Sequence, residues 1–436
     1  MRDILITVII LGFIPFILSK PRVGAYVWAW LAMMVPHRLA FGFAQTMPFS
    51  HMVGLATLAG FLFARDRHPF PWSSITKTYL LFLVWMTVTS FFAIDSAGPT
   101  FEKWVVVIKI HVFLFLTLMV IRGREQIETL LWVITLSLGF YGMKGGIFTI
   151  TTGGSGRVWG PGGGVIAGNN ALGVALVMIV PFMYYLFQTA THRYVRHGMI
   201  FLIGTTFLGI LGTQSRGALL AVVGMTFFVA MKSKKPVFTT LVLGGVLLVG
   251  MLLMPDTWTN RMNTIESYDQ DTSAMSRIYT WKTLWALALD RPLVGAGFNA
   301  DIPTVFAMYA PRDMGFDFES KVYVAHSIYF QALGEHGFPG LFIYLLIGIL
   351  AWRKAGEVAA QARHDPDFSG WVPLLMRMSQ ASLAGFAVGA AFLSMVHFDL
   401  PYYIVALVVL VDATMNEKRK SAGTRGVLEA VPRPTP

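Results

Sequence analysis

His326 is the side chain whose type and position best suit proton transfer. It stands in Ala325-His326-Ser327, where a long polar stretch meets an apolar run. A neutral imidazole, with an ordinary pKa of about 6.5, can take a proton from a hydroxyl group near neutral pH. A histidine at a membrane boundary can instead serve as a hydrogen-bonded interface residue. The sequence therefore makes His326 a candidate general base, with the interface interpretation still open.

Arginines at three positions suit anion binding. Arg216 follows Ser215 at the start of an apolar run, where a helix presents free backbone N–H groups and the positive end of its dipole. Arg277 heads an amphipathic stretch, and its fork-shaped guanidinium matches phosphate oxygens. Arg157 lies in a glycine-rich stretch of a kind that cradles phosphates, although it matches no nucleotide fingerprint. The alternatives are a snorkelling arginine at 216, a solvated one at 277 and a flexible loop around 157.

Lys109 and a short acidic motif complete the set of candidates. Lys109 falls inside an apolar run, where a charge marks a ligand path or an internal ion pair, so both a contact to an anionic head group and a buried pair are open. The motif Asp269-Gln270-Asp271 spells D-x-D, which holds a divalent metal in many sugar-transferring enzymes. Acidic patterns of this length are common by chance, and we predict neither a metal nor a cofactor.

Several enzyme classes lack their usual signatures in this chain. The sequence contains no H-E-x-x-H, no G-x-S-x-G and no Walker motif, which argues against a hydrolase or an ATPase. Cysteine is absent, which excludes disulfide bonds and thiolate metal sites.

The elements that must position these residues are membrane helices. The 436 residues are 55% hydrophobic and only 13% charged, with a mean hydropathy of +0.61, well outside the range of ordinary soluble domains. Because a helix needs about 20 apolar residues to cross the bilayer, the runs predict an all-α polytopic membrane protein with about 12 transmembrane helices. Short runs are expected to tilt or re-enter. The runs cover 4–18, 23–36, 50–64, 76–94, 104–121, 127–150, 169–188, 197–214, 216–231, 237–254, 328–352, 372–395 and 400–413.

The positive charge follows the membrane topology. A net charge of +11 would fit a nucleic-acid partner if it formed one surface. However, pairs such as Arg122 and Arg124 recur in every second connector, which is how membrane proteins mark their cytoplasmic loops. We therefore expect membrane lipids, and no nucleic acid, around this chain. The segments 151–168 and 255–325 then lie on the extracytoplasmic side.

The apolar and polar segments divide the chain into four parts: an N-terminal transmembrane bundle over 1–254, a long polar loop over 255–325, C-terminal transmembrane helices over 326–415 and a disordered cytoplasmic tail over 416–436. The loop is far longer than a simple connector and should carry function. It should also be partly helical, since apolar residues recur at helical spacing over 274–288.

Three motifs in order resemble the O-antigen ligase and polymerase superfamily. They are Ser215-Arg216-Gly217-Ala218-Leu219, then Arg277 with Trp281 before Asp290-Arg291-Pro292-Leu293, then His326-Ser327 with Glu335-His336-Gly337-Phe338-Pro339-Gly340. The first third, with Pro36-His37-Arg38 and Gly139-Phe140-Tyr141-Gly142-Met143-Lys144, resembles the branch of exosortase-associated O-glycosylation ligases.

The resemblance implies a fold and a reaction. It implies a GT-C-type glycosyltransferase that takes a glycan from undecaprenyl diphosphate at the periplasmic face of a bacterial inner membrane and transfers it to lipid A-core, without metal or nucleotide. It also implies that His326 activates the acceptor and that Arg216 and Arg277 bind the diphosphate. We add Arg157 and Lys109 as diphosphate ligands on electrostatic grounds.

Other functions stay open at this point. A polysaccharide polymerase or a protein O-glycosylation ligase would use the same chemistry on another acceptor. A lipid-glycan transporter would show internal repeats and charges near the middle of the membrane. No convincing repeat is visible, and the strongest candidates lie at a boundary. A non-catalytic scaffold would tolerate the loss of His326.

Overall fold

The computed structural model describes residues 1–65, 67–95, 97–233, 235–252, 254–255, 272–312 and 321–430. All regular elements in this part of the chain are helical. The helices are α1 Arg2–Ser19, α2 Pro21–Met34, α3 Phe49–Phe63, α4 Ser74–Ser90, α5 Ala97–Val120, α6 Gly123–Thr151, α7 Asn169–Thr189, α8 Arg193–Gly212, α9 Arg216–Met231, α10 Pro236–Leu252, α11 Thr272–Asp290, α12 Pro303–Tyr309, α13 Ile328–Ala362, α14 Val372–Gly389 and α15 Asp399–Ala430. Short 3₁₀ turns cover Pro36–Leu39, Phe43–Gln45 and Ala390–Phe392.

Several of these helices are suited to cross a bilayer. Each predicted apolar run coincides with a helix, and seven of the described helices are long and apolar enough to span a membrane: α1, α5, α6, α7, α8, α13 and α15. Others are shorter; α2 has 14 residues, which is about 21 Å of helix against roughly 30 Å of hydrocarbon. The chain is thus a multi-pass helical membrane protein, and the predicted number of about 12 crossings is not reached by this criterion.

The connectors gather at two ends of the bundle. At one end, which we call the basic end, Arg122 Nε lies 3.2 Å from Glu417 Oε1, and the Arg124 guanidinium lies 5.7 Å from the ring centre of Trp371. These contacts join the α5–α6 and α13–α14 connectors to the last helix. At the other end, the loop end, Val158 N donates to Gly212 O at 2.9 Å. The predicted site residues at 157, 216 and 326 lie in the loop-end connectors or beside them.

The C-terminal tail differs from its prediction. Instead of being disordered from residue 416, the backbone continues as helix α15 to Ala430, and 431–436 lie outside the described residues. Contacts to the basic end explain the extension, since Lys418 Nζ lies 2.5 Å from Asp367 Oδ2 and Glu417 pairs with Arg122. Anchored at its start, the segment continues the helical geometry of the preceding turns.

The long polar loop contains the predicted amphipathic helix. It is α11, and it packs on α13: Leu284 and Ala288 are fully buried, and the Trp281 ring stacks on Phe330 with centroids 5.1 Å apart. Trp285 stays 47% exposed. Residues 256–271 and 313–320 lie outside the described part of the chain, and with them the D-x-D motif at 269–271.

A kink in α13 locks the end of this loop onto the bundle. Gly337 has φ +67° and ψ −172°, a conformation that favours glycine, and Pro339 follows it. A Cβ atom at Gly337 would lie 2.4 Å from the carbonyl oxygen of Leu293. The kink frees backbone groups for the loop: Phe338 N donates to Pro292 O, and Gly297 N donates to Glu335 O. The segment before α12 is thereby fixed against the first turns of α13.

Candidate functional site

The turn 390–398, which joins α14 to α15, holds His326 in place. The backbone N–H of His326 donates to Ser394 Oγ at 2.9 Å. His326 has φ +45°, a left-handed conformation that is uncommon for a residue with a side chain. Such a conformation costs free energy and persists where the surroundings over-determine it, as they often do at functional sites. The backbone of His326 is therefore held at the loop end, and its imidazole is half-buried there.

Arg277 and Trp281 of α11 set the surroundings of that imidazole. Trp281 Nε1 donates to the carbonyl oxygen of Ala325 at 2.7 Å, which ties α11 to the residue before His326. The pKa of His326 lies below its ordinary value, first because the ring is desolvated by burial and second because of the positive charge of Arg277. The imidazole is therefore neutral near pH 7 and can accept a proton.

Arg216 approaches the same turn from the opposite side. It is the first residue of α9, and Ser215 caps the helix by accepting the Ala218 N–H at 3.1 Å. A Cβ atom at Gly217 would lie 3.5 Å from the carbonyl oxygen of Gly389 and 3.9 Å from Phe392 Cβ. The Phe392 ring in turn lies 6.4 Å from the Trp281 ring. The 390–398 turn thus contacts the His326 backbone, and its first residues lie beside Trp281 of α11 and the start of α9, where Arg216 stands.

A buried polar network that sequence reasoning missed clamps this turn to α13. His397 Nε2 lies 2.7 Å from Glu335 Oε2, and Gln331 Nε2 donates to Glu335 Oε1 at 3.2 Å. The side-chain oxygen Oε1 of Gln331 accepts the Val396 N–H at 3.2 Å. A carboxylate inside an apolar run is costly unless it is paired, and that signal alone was enough to mark Glu335.

The same network includes a possible set of metal ligands. Glu335, His336 and His397 each offer a ligand atom, and these atoms lie within 4.8 Å of one another. However, Glu335 and His397 already bond to each other, and His336 Nδ1 lies 2.8 Å from Thr89 Oγ1. A bound ion would need about 2.0–2.2 Å to each ligand atom and would replace the bond between the first two. We therefore describe the group as a hydrogen-bonded clamp.

Asp301 is a second titratable group close to His326 that sequence reasoning missed. Its carboxylate accepts the backbone N–H of Ala325, the residue before His326. Burial, and then the negative charge of Glu335, raise the pKa of Asp301 to about 7. A carboxyl group that is half-ionised near neutral pH thus lies one peptide unit from the candidate base.

The two remaining predicted ligands have other neighbours among the described residues. The Arg157 guanidinium lies 5.5 Å from the ring centre of Trp159 and lines a cavity of about 800 Å³ together with Arg38 and Lys144. That cavity is lined by none of Arg216, Arg277 and His326. Lys109 Nζ lies 2.9 Å from His51 Nε2, between α5 and α3. Their assignment to a diphosphate therefore stays a prediction.

Three further titratable groups, His111, Lys144 and Arg377, lie within the helices. His111 Nδ1 hydrogen-bonds the Tyr79 hydroxyl, and Lys144 is exposed at the cavity that Arg157 lines. Arg377 is half-buried in α14 with its Nε unpartnered, and nothing in the structure explains that atom.

An apolar groove begins beside the candidate base. It has a volume of about 540 Å³ and runs from Ile328 and Tyr329, just after His326, between α9, α13 and α14 to Trp352. The Tyr329 hydroxyl donates to Ala387 O at 2.8 Å and so joins two walls of the groove. His326 precedes the Ile328 end of the groove by two residues, and Arg353 lines the groove beside Trp352 at the other end. An apolar groove of this size suits the hydrocarbon chain of an amphiphile.

Residues 201–345 match the family described as O-antigen ligase. This stretch contains Arg216, Arg277 and His326. Over this third of the chain, the match supports the O-antigen ligase superfamily. Residues 1–191 match a family of unknown function (DUF5935). No functionally curated protein matches the chain.

The match to the O-antigen ligase family confirms the resemblance predicted from the three motifs. Proteins of this family are glycosyltransferase-like ligases, and the match therefore supports a transferase. The exosortase-associated branch is not confirmed, because the first third matches only the family of unknown function. The 390–398 turn lies beyond the matched stretch, although it contacts the residues that the stretch contains.

Proposed function

We propose that this chain is an O-antigen ligase with a GT-C-type fold that transfers a glycan from undecaprenyl diphosphate to a sugar hydroxyl of lipid A-core, at the periplasmic face of a bacterial inner membrane. One observation carries the proposal. A half-buried imidazole whose pKa is lowered by burial and by the charge of Arg277 is held by the turn beside which Arg216 begins α9, at the end of the bundle away from the basic connectors.

The chemistry requires a base and an anion site. The acceptor hydroxyl oxygen attacks the anomeric carbon while the bond from that carbon to the diphosphate oxygen breaks, so the configuration inverts. The hydroxyl proton moves to His326, and the diphosphate leaves with its charge balanced by Arg216 and Arg277. Because the glycosyl diphosphate bond is already activated, these side chains supply what the reaction needs without a metal or a nucleotide.

The apolar groove supports a lipid-linked donor. Its lining is largely hydrophobic between Ile328 and Trp352, Arg353 lies at the Trp352 end, and His326 stands two residues before the Ile328 end. A polyprenyl chain in the groove would place its diphosphate head beside Arg216 and Arg277. Binding of the chain in the groove would also hold the donor in one orientation. Less orientational entropy is then lost when the reaction occurs, which favours the reaction.

The charge distribution supports a periplasmic site. Connectors that are rich in Lys and Arg gather at the basic end, and the positive-inside rule places such connectors in the cytoplasm. The loop end, with His326, would then face the periplasm.

A transfer assay with three acceptors tests this proposal. The purified full-length protein is incubated with an undecaprenyl-diphosphate-linked glycan and with lipid A-core, a serine-rich protein or a second lipid-linked glycan. We expect the glycan on lipid A-core. Transfer to the lipid-linked glycan alone would make the chain a polymerase, transfer to the protein alone would make it a protein ligase, and either result would refute the proposal.

A further inference from the structure

The cavity that Arg157 lines holds an unusual concentration of positive charge. Arg2, Arg38, Lys144 and Arg157 line it, and no Asp, Glu or His is among its described lining residues. We call it the basic cavity. Asp3, the chain neighbour of Arg2, accepts the backbone N–H groups of Gly42 and Ala44, and it is not part of the lining. In the part of the chain that the structure describes, the four cations have no carboxylate partner.

These cations lie on the side of the protein where few positive residues are expected. The basic cavity lies at the loop end, because α1 and the 151–168 connector begin or end there. Positive residues are normally sparse on the side of a membrane protein opposite its basic connectors. Four mutually repelling cations in one cavity of about 800 Å³ are stabilised when an anion binds between them. The charge therefore indicates a polyanionic ligand.

The remaining lining indicates that this anion is attached to a lipid. Leu5 and Ile9 of α1 line one side, and Leu5 is 60% exposed on a helix that has little of its surface buried in the bundle. Trp159, 58% exposed, offers a flat ring for a sugar. A cavity with an aliphatic wall, an aromatic platform and cations suits acyl chains, sugar rings and phosphates in one molecule.

The basic cavity is joined to the candidate catalytic centre by its own loop. Val158, next to Arg157, donates its N–H to Gly212 O at 2.9 Å. Gln214 Nε2 donates to Gly154 O at 3.3 Å, and Gln214 has φ +52° two residues before Arg216. The loop that carries Arg157 is thus bonded on both sides of this residue to the segment that leads into Arg216.

From this arrangement we propose that the basic cavity is a second substrate site, which binds the phosphorylated head group of the acceptor glycolipid through Arg38, Lys144 and Arg157. Its role as the acceptor site rests on the proposed function. All these residues lie in the stretch that matches the family of unknown function, so the cavity assigns a binding role to that stretch.

Lipid binding to the full-length protein in nanodiscs tests the proposal. The probes are diphosphorylated lipid A, its dephosphorylated form and inorganic phosphate, and the variants are Arg38→Ala, Lys144→Ala and Arg157→Ala. Each variant should raise the Kd of diphosphorylated lipid A about tenfold, since each removes one charge-assisted contact. Arg157→Lys keeps the charge and should recover most of the affinity. Arg312→Ala removes an exposed arginine outside the basic cavity and should bind like the wild type.

The probes separate the possible outcomes. Weak binding of the dephosphorylated lipid and of inorganic phosphate supports a phosphorylated lipid as the ligand. Unchanged Kd values in all three alanine variants, or phosphate binding as tight as lipid binding, would overturn the proposal. So would an equal loss of donor-lipid binding, because the cations would then serve the donor. Selective loss of lipid A binding in a protein that never glycosylates lipid A-core would support the cavity as a site for phosphorylated glycolipid and refute the proposed ligase function.

Discussion

Two cation-rich regions lie at the loop end, and they differ in what accompanies the charge. Around the 390–398 turn, Arg277 lowers the pKa of an imidazole whose backbone is held in a left-handed conformation, and Arg216 begins a helix beside the turn. In the basic cavity, cations line a space of about 800 Å³ without a histidine or carboxylate among the described lining residues. The comparison teaches that positive charge alone fits an anion site, whereas a neutral base near such charge also fits proton transfer.

Of the changes that test this comparison, replacing the candidate base His326 should have the largest effect, and the quantity affected is turnover. His326→Asn keeps a residue that tolerates left-handed backbone but cannot take up the proton, so we expect turnover to fall about 10²- to 10⁴-fold. Donor-lipid binding, measured on the same preparation, should stay within about twofold. His364→Asn, at an exposed position of the basic end, is the matched control. Full turnover by His326→Asn would remove the distinction between the two regions.

Arginine variants should separate donor binding from acceptor binding. Arg216→Ala and Arg277→Ala should each weaken donor-lipid binding roughly tenfold to 100-fold, because each removes charge-assisted hydrogen bonds to the diphosphate. Lipid A binding should change little in both variants. Arg312→Ala, an exposed arginine elsewhere, serves as the control. If Arg216→Ala and Arg277→Ala impair lipid A binding as strongly as donor binding, the two regions form one site.

The acid limb of the pH–rate profile reports the environment of the base. The pKa of His326 is lowered by burial and by Arg277, so the imidazole should stay neutral, and kcat/KM should hold, to below pH 6.5. Arg277→Gln removes one of the two lowering influences and should move the acid limb to higher pH. Measuring kcat/KM from about pH 5 to 8 in both proteins checks the shift. A limb that stays in place would show that Arg277 lies too far from the imidazole to act on it.

The smallest effect concerns Asp301. Its pKa is raised from 3.8 to about 7, so the unfolded chain loses this proton at lower pH than the folded protein does. The stability that the protonated carboxyl provides is present below pH 3.8 and is lost as the pH rises to about 7. Asp301→Asn lacks this dependence. As the pH rises from 3.8 to about 7, the thermal midpoint of the wild type in detergent should fall relative to that of Asp301→Asn. Parallel curves would contradict the assignment.

Much of the fold was predictable because the position and length of each apolar run can be read from the sequence. The helices fall on the predicted runs, and α11 coincides with the amphipathic stretch at 274–288. The number of membrane crossings was not predictable, because helices such as α2 and α9 are too short to cross the bilayer by the length criterion. The tail to Ala430 escaped prediction because its ion pairs join residues far apart in the chain.

The candidate site was predictable only in part, for the same reason. Arg216, Arg277 and His326 stand in motifs that a local pattern reveals. Ser394, which holds the His326 backbone, is 68 residues away and carries no local signal. Arg157 was grouped with the donor by its charge, and charge alone does not distinguish the turn from the basic cavity.

A structure with the undecaprenyl-diphosphate-linked donor bound is the most direct test of the central claim. The account predicts diphosphate oxygens within hydrogen-bond distance, about 2.7–3.2 Å, of the Arg216 and Arg277 guanidinium groups, with the anomeric carbon facing His326. Its polyprenyl chain should lie in the apolar groove that starts at Ile328. A diphosphate that contacts neither Arg216 nor Arg277 would contradict the account.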